Sequence, residues 1–159
     1  MDEISGFGEW YSDTYRRVLA SVVLATGADR SRAEDAVNDA FVSAYERWDR
    51  VRDFESPGGW VTKVAINNAK RSFRLRHRKI REAHHSGSHS ATNQEVDHDL
   101  WQLVQRLPRR QREALALRYV EDMSQVQVAD YLGIAEGTAK ASLSHARRNL
   151  RVQLKGEDL

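Results

Sequence analysis

The chain has 159 residues, a formal net charge of +2, 30% charged residues and no cysteine. That length holds one ordinary domain or two small ones, and two small helical domains are each only marginally stable alone, so a partner is expected to matter. The lack of cysteine excludes disulfides, thiol redox sensing, cysteine nucleophiles and cysteine-based zinc sites, and the small net charge makes any basic function local.

No apolar run is long enough to span a bilayer, and the opening MDEISGFGEW is acidic, without the basic and apolar parts of a signal peptide. A cytoplasmic location with no membrane partner is expected. Apolar residues recur at three- and four-residue steps and alternating β-branched runs are missing, which predicts an all-α fold. Phe7, Tyr11, Tyr15, Val18, Leu19 and Val22 form the first stripe, stopped at Gly27. Ser31 and Glu34 have the form of a capping box, followed by a second stripe of Ala33, Val37, Ala40, Phe41, Ala44 and Trp48. A polar loop, DRVRDFE, leads to Ser56 and Pro57, a capping hydroxyl followed by proline at the first helical position; the helix they start runs toward Arg81.

Residues 83–95, AHHSGSHSATNQE, hold nothing that builds a core and read as a flexible linker. The expected organisation is thus two small helical domains, 1–82 and 96–159. In the second, Leu100, Leu103, Val104 and Leu107 mark a helix ending before Pro108, and Leu115, Leu117 and Tyr119 mark another ending near Asp122. Ser124 and Gln127 then form a capping box, Ala129 is small where two helices approach, and Gly133 permits a sharp turn before a helix starting near Gly137 and Thr138. This is the spacing of a DNA-reading helix-turn-helix, although a plain helical hairpin can show the same Ala and Gly.

Two further faces carry chemistry. On the third helix Trp60, Lys63, Asn67, Lys70, Arg71, Arg74, Arg78 and Arg81 fall on one stripe, beside a packing face of Val61, Val64, Ala65 and Leu75. No carboxylate lies between Pro57 and Arg81, so these cations have no acidic partner in their own helix. Cations track phosphates, an aromatic stacks on an unpaired base and asparagine reads a base edge, a mixture suited to nucleic acid with exposed bases; a solvated basic face is the plainer alternative, and Trp60 also fits a core position. The second helix bears Asp35, Asn38, Asp39, Val42 and Glu46 opposite its apolar stripe, an acidic strip with one exposed valine. It suits either solvent or a basic protein surface. His77, His84, His85, His89, His98 and His145 lie without a carboxylate triad or a Gly-rich phosphate loop, so neither an enzyme, a metal nor a cofactor is expected.

The segments AEDAVNDAFVSAYERW, ESPGGWVTKVAINNAKR, LPRRQREALALRYVEDMSQVQVADYLG and GTAKASLSHARRNLR, in this order around the linker, resemble the extracytoplasmic-function (ECF) group of bacterial RNA polymerase sigma factors over nearly the whole chain. The resemblance implies a subunit of transcription initiation whose partners are core RNA polymerase and promoter DNA, duplex and melted, with an anti-sigma factor as a candidate further partner. By position it implies polymerase docking through Asp35, Asn38, Asp39 and Phe41, joined by Val42. The shorter Asn38 and Asp39 stand where the family has glutamine and glutamate. It also implies minus-ten recognition by the loop from Asp49 to Ser56 and the helix after it, through Arg52, Trp60, Lys63, Asn67, Lys70, Arg71 and Arg74. For the minus-thirty-five element the family pattern GTVKSRLHRAR becomes GTAKASLSHAR, with Ala139, Ala141, Ser142, Ser144 and His145 in place of larger or longer side chains. Thr138, Lys140, Ser144, His145, Arg147 and Arg148 remain as contacts, mostly to phosphate. A stand-alone helix-turn-helix regulator is the alternative; it would use the same C-terminal motif but leave the acidic and basic helices unexplained.

Overall fold

A computed structural model of the chain describes residues 2–83 and 98–157; the expected linker falls almost wholly outside them. Its N-terminal unit contains α1 (Asp2–Thr26), α2 (Arg30–Glu46), the single turn α3 (Trp48–Val51) and α4 (Pro57–Ala83). The C-terminal unit contains α5 (His98–Gln105), α6 (Arg109–Leu115), α7 (Gln125–Leu132) and α8 (Glu136–Glu157), with α6 running into a π-helical turn at Ala116–Val120. Among the described residues no strand occurs.

The apolar stripes fold inward as their spacing requires. Val18 and Val22 of α1, Val37, Ala40 and Phe41 of α2, and Val61, Ala65 and Ile66 of α4 form the first core. An aromatic layer closes its outer end: Trp10 stacks 4.8 Å from Trp48, and Tyr11 meets Phe41 edge-on at 4.9 Å. Such rings bury large apolar areas and prefer tilted or edge contacts, which holds α1 against α2 in one register. The second core gathers Leu107, Leu117, Val128, Ala129, Leu143 and Ala146.

The caps follow sequence chemistry with one correction. Ser124 accepts from the Gln127 amide at 3.2 Å while the Gln127 side chain accepts from the Ser124 amide at 2.9 Å, completing the expected capping box. Gly133 closes α7 at φ +66°, and Ser56 Oγ accepts from the Gly59 amide at 3.1 Å at the start of α4. For α2, however, Asp29 rather than Ser31 is the cap, accepting from the Arg32 amide at 3.0 Å. Both side chains can cap; Gly27, left-handed at φ +69°, turns the chain so that Asp29 arrives extended, two residues earlier. The expected loop at 49–55 is also shorter, because Trp48–Val51 makes a helical turn that buries Val51. Leu75, assigned to the packing face of α4, is 54% exposed and lies outside the core that Val61, Ala65 and Ile66 of the same helix enter.

The two units are packed together. Helix α1 lies against α5, α6 and the π turn; Ala116 belongs to the first core, and Leu24 touches both cores. Gln105 of α5 donates from Nε2 to the Leu24 carbonyl at 3.3 Å and its Oε1 accepts from Arg112 at 2.8 Å. Burial lowers the pKa of that guanidinium.

Candidate polymerase and nucleic-acid interfaces

Helix α2 turns Ala33, Ala36, Val37, Ala40, Phe41 and Ala44 inward, which leaves Asp35, Asn38 and Asp39 on the outside, all exposed. Val42 beside them is 57% exposed, an apolar point in an acidic strip. Phe41 leaves this set of surface contacts: it is 3% exposed, held by Trp10, Tyr11 and Tyr15, because its position on the helix belongs to the core stripe. It supports the docking helix from beneath.

The basic face of α4 divides into two parts. Beyond Lys70 the helix projects, and Arg71, Arg74 and Arg78 are exposed along with Phe73 and Leu75; Arg81 carries no described side-chain environment. Nearer its start, Lys63, Ile66, Asn67 and Lys70 form one wall of a groove of about 620 Å³, and the opposite wall comes from the C-terminal unit: Arg109, Arg110, Glu113, Tyr131, Leu132 and Gly133. Lys63 lies 5.5 Å above the Tyr131 ring, a cation–π contact that contributes roughly 0.5–1 kcal/mol where exposed. Lys70 is ion-paired with Glu113, whose side chain is 6% exposed and also accepts from Arg109 Nε at 3.1 Å. The carboxylate missing between Pro57 and Arg81 is therefore supplied to Lys70 by the other unit. Trp60 is half-buried against the first core, with its ring 6.2 Å from Phe54, and Arg52 is exposed in the short segment after α3.

A second carboxylate crosses between the units at the end of the π turn. Glu121, whose side chain is 2% exposed, accepts from Ser21 Oγ at 2.7 Å and Thr62 Oγ1 at 3.1 Å and pairs with Arg17 at 3.5 Å. Burial raises its carboxyl pKa, partly offset by the hydrogen bonds from Ser21 and Thr62 and by Arg17. Ser21 and Thr62 are both fully buried polar residues on otherwise apolar faces of α1 and α4, and Glu121 is what satisfies them. Tyr131, between Glu113 and Glu121, has its phenol pKa raised by burial first and by those two carboxylates after it. At the rim Gln127 Nε2 donates to Glu55 at 3.4 Å. None of Ser21, Thr62, Glu113 or Glu121 stands out by sequence motif; the available signals are hydroxyls interrupting apolar stripes and a run of cations without an acid from Pro57 to Arg81.

The helix-turn-helix presents its second helix outward. Ala139, Leu143 and Ala146 are fully buried, and Thr138, Lys140, His145 and Arg148 are exposed around the other side, with Ser144 at its edge. Arg147 is exposed but donates to the Tyr119 hydroxyl at 2.9 Å, which draws it toward the π turn. No described group of three His, Asp or Glu residues has the arrangement of a metal site, and no helix among the described residues is long and apolar enough to cross a membrane.

Comparison with known proteins agrees with this layout. Residues 12–79 match the family Sigma-70 region 2, and residues 97–150 match Sigma-70, region 4. The RNA polymerase sigma-E factor of Streptomyces coelicolor is 30% identical over 100% of this chain and 92% of its own length. The ECF RNA polymerase sigma factor SigL of Mycobacterium tuberculosis is 31% identical over 89% of this chain and 85% of its own. The fold is that of the sigma factor RpoE, solved in complex with the anti-sigma factor NepR from Bartonella quintana, at a TM-score of 0.78, with 24% identity over 94% of this chain and 97% of that one. With the region 2 match lying within α1–α4 and the region 4 match reaching from α5 into α8, the chain belongs to the sigma-70 family of bacterial RNA polymerase sigma factors, in its ECF group.

Proposed function

We propose that this sigma factor docks on core RNA polymerase through Asp35, Asn38, Asp39 and Val42, engages the minus-ten element through α4 and its preceding loop, and engages the minus-thirty-five element through α8. The observation that carries the reading is the order of surfaces in one chain: an exposed acidic strip, a basic helix with no carboxylate from Pro57 to Arg81 and an outward-facing helix-turn-helix. Acidic residues around an exposed valine suit a basic protein surface with an apolar hollow, and steer association as well as holding it. On α4, Arg71 and Arg74 are placed to track phosphates, Asn67 to meet a base edge, and Trp60 to brace the loop through Phe54.

Promoter melting then follows from differential binding: extruding a base costs a few kcal/mol, offset by contacts made only to the unstacked strand. In α8 the short Ala141, Ser142 and Ser144 leave Lys140 and Arg148 as the long donors, so this element positions DNA more than it selects sequence. The chain carries no chemistry of its own; the polymerase catalyses, in the cytoplasm. An anti-sigma factor would have the same exposed surfaces to compete for. A stand-alone regulator would use α8 alone and gives α2 no task.

The test is transcription from a genomic promoter library by purified core polymerase with and without the chain. A defined set of promoters should fire only in its presence; no chain-dependent start would refute the reading.

A further inference from the structure

Resting on the docking assignment above, we propose that the polymerase-docking surface carries both signs of charge: beside the acidic strip of α2, Arg76 and Lys79 of α4 form a basic groove that takes an acidic segment of core RNA polymerase. The groove has a volume of about 350 Å³, with Asp39 on the α2 side and Asn68, Arg71, Leu75, Arg76 and Lys79 among its α4 residues. Neither Arg76 nor Lys79 is part of the minus-ten stripe. At about 100° per residue they lie roughly 140–160° round α4 from the centre of Lys63, Asn67, Lys70, Arg74 and Arg78, so they face away from a strand that follows that stripe. Arg71 stands at the border between the two. Arg71, Arg76 and Lys79 are all exposed, and among the described residues no ion pair joins Arg76 or Lys79 to Asp39. Three cations against one carboxylate leave the groove positive.

Continuity and charge assign the occupant. Asp39 lines the groove and belongs to the acidic strip, so a body seated on the strip reaches the mouth of the groove. The strip calls for basic side chains on that body and the groove for acidic ones. Each half also holds one exposed apolar side chain, Val42 at 57% and Leu75 at 54%, which adds apolar burial to the charge contacts. Where the helices meet, Asn68 donates from Nδ2 to the Ala36 carbonyl at 3.4 Å, which keeps the two halves at one spacing. A strip of one sign can slide along a surface of the other sign. A surface with both signs in fixed order is satisfied in one register only, because a shifted partner brings like charges together. The strip thus steers association, and the groove sets the register.

The experiment measures the affinity of the full-length chain for purified core RNA polymerase at low and high salt. It compares the unaltered chain with Arg76→Glu and Lys79→Glu combined, and with Asp35→Lys and Asp39→Lys combined as the reference. The α4 reversal should weaken affinity roughly tenfold at low salt, mainly through slower association, and less at high salt. Minus-ten preference in the assembled enzyme, read from a randomised library at saturating chain, should not change. Both α4 positions are exposed, so the melting temperature should hold; if it falls, Arg76→Gln with Lys79→Gln replaces the reversal and should weaken affinity about threefold. Unaltered core affinity would overturn the groove. Combined with weaker promoter binding, that result would give Arg76 and Lys79 to DNA phosphates; combined with lost self-association in sedimentation, it would give them to a second copy of the chain. The reference pair separates the two levels: if it too binds core normally, the docking assignment fails, whereas if it alone loses affinity, only the groove falls.

Discussion

The two faces proposed to meet DNA differ in availability, although both are basic helices. On α8 the core residues Ala139, Leu143 and Ala146 are buried on one side, and Lys140, His145 and Arg148 meet solvent on the other. On α4 the face is split: Arg71 and Arg74 project into solvent, whereas Lys63 and Lys70 engage Tyr131 and Glu113 of the other region. The difference teaches that charge pattern identifies what a helix can bind, while packing elsewhere in the chain decides when. A run of cations with no acid from Pro57 to Arg81 is an open electrostatic request, and Glu113 answers it at Lys70.

The sharpest way to break this comparison is to remove the face that lies wholly outside the packing of the two units. Asp35→Lys with Asp39→Lys should abolish co-elution with core polymerase, a loss of at least a hundredfold, without lowering the melting temperature, because exposed charge reversals cost little stability but oppose a basic partner. Retained co-elution would show that docking lies elsewhere. Next, Asn67→Ala in the assembled polymerase should weaken use of the minus-ten element by about 1–3 kcal/mol and flatten preference at a single base, read from transcription of a randomised minus-ten library. A uniform loss at every sequence would make Asn67 a backbone contact.

On α8 the comparison predicts a milder outcome. Arg148→Ala should weaken binding almost equally at all minus-thirty-five sequences and reduce the salt slope by about one, whereas Ser142→Arg should add preference at guanine-containing sites. If Arg148→Ala instead erases a strong preference, it is a base reader. The smallest effect concerns acidity. Burial holds the Glu121 carboxyl pKa above its ordinary value while the two units are packed together, so the packed form binds that proton more tightly than the separated one. Its contribution to packing is complete below the separated-form pKa and is lost as pH rises through the packed-form value. The groups facing it are Arg17 and Ser21 of α1 and Thr62 of α4, with Tyr131 nearby, and Arg17 works against the trend. Scattering between about pH 5 and pH 7 should therefore show the chain slightly more compact at the acid end, with the trend absent in Glu121→Gln; no pH trend in the unaltered chain would remove Glu121 as its source.

Local pattern carried much of this architecture. The stripes of α1, α2 and α4, the Ser124 and Gln127 box and the Gly133 turn were readable because each depends on residues within one or two turns. Where two neighbouring side chains could do one job, as with Asp29 and Ser31, pattern alone could not choose. Phe41 was read in two ways, as a core position from its helical spacing and as a docking residue from the family resemblance, and at 3% exposure it follows its spacing. The region 2 and region 4 contacts were illegible because Ser21, Thr62, Glu113 and Glu121 meet across as many as 100 residues, and no periodicity encodes such a pairing. Buried hydroxyls at Ser21 and Thr62 were its only local trace.

The π turn also explains why Leu115, Leu117 and Tyr119 do not make one ordinary stripe. Its Glu121 amide bonds to the Ala116 carbonyl at 3.1 Å, five residues back, and Asp122 follows at φ +55°. One extra residue is thereby accommodated in the winding, which advances everything after it by about a quarter-turn relative to a regular helix. This makes the segment a gear: Leu117 still enters the region 4 core, while Glu121 emerges toward Ser21 and Thr62. Deleting one residue within 116–120 would let the winding become regular, keep the turn into α7 within reach and swing the carboxylate away from region 2. A single-codon length change would thus uncouple the two halves while sparing every residue proposed above to meet DNA or polymerase.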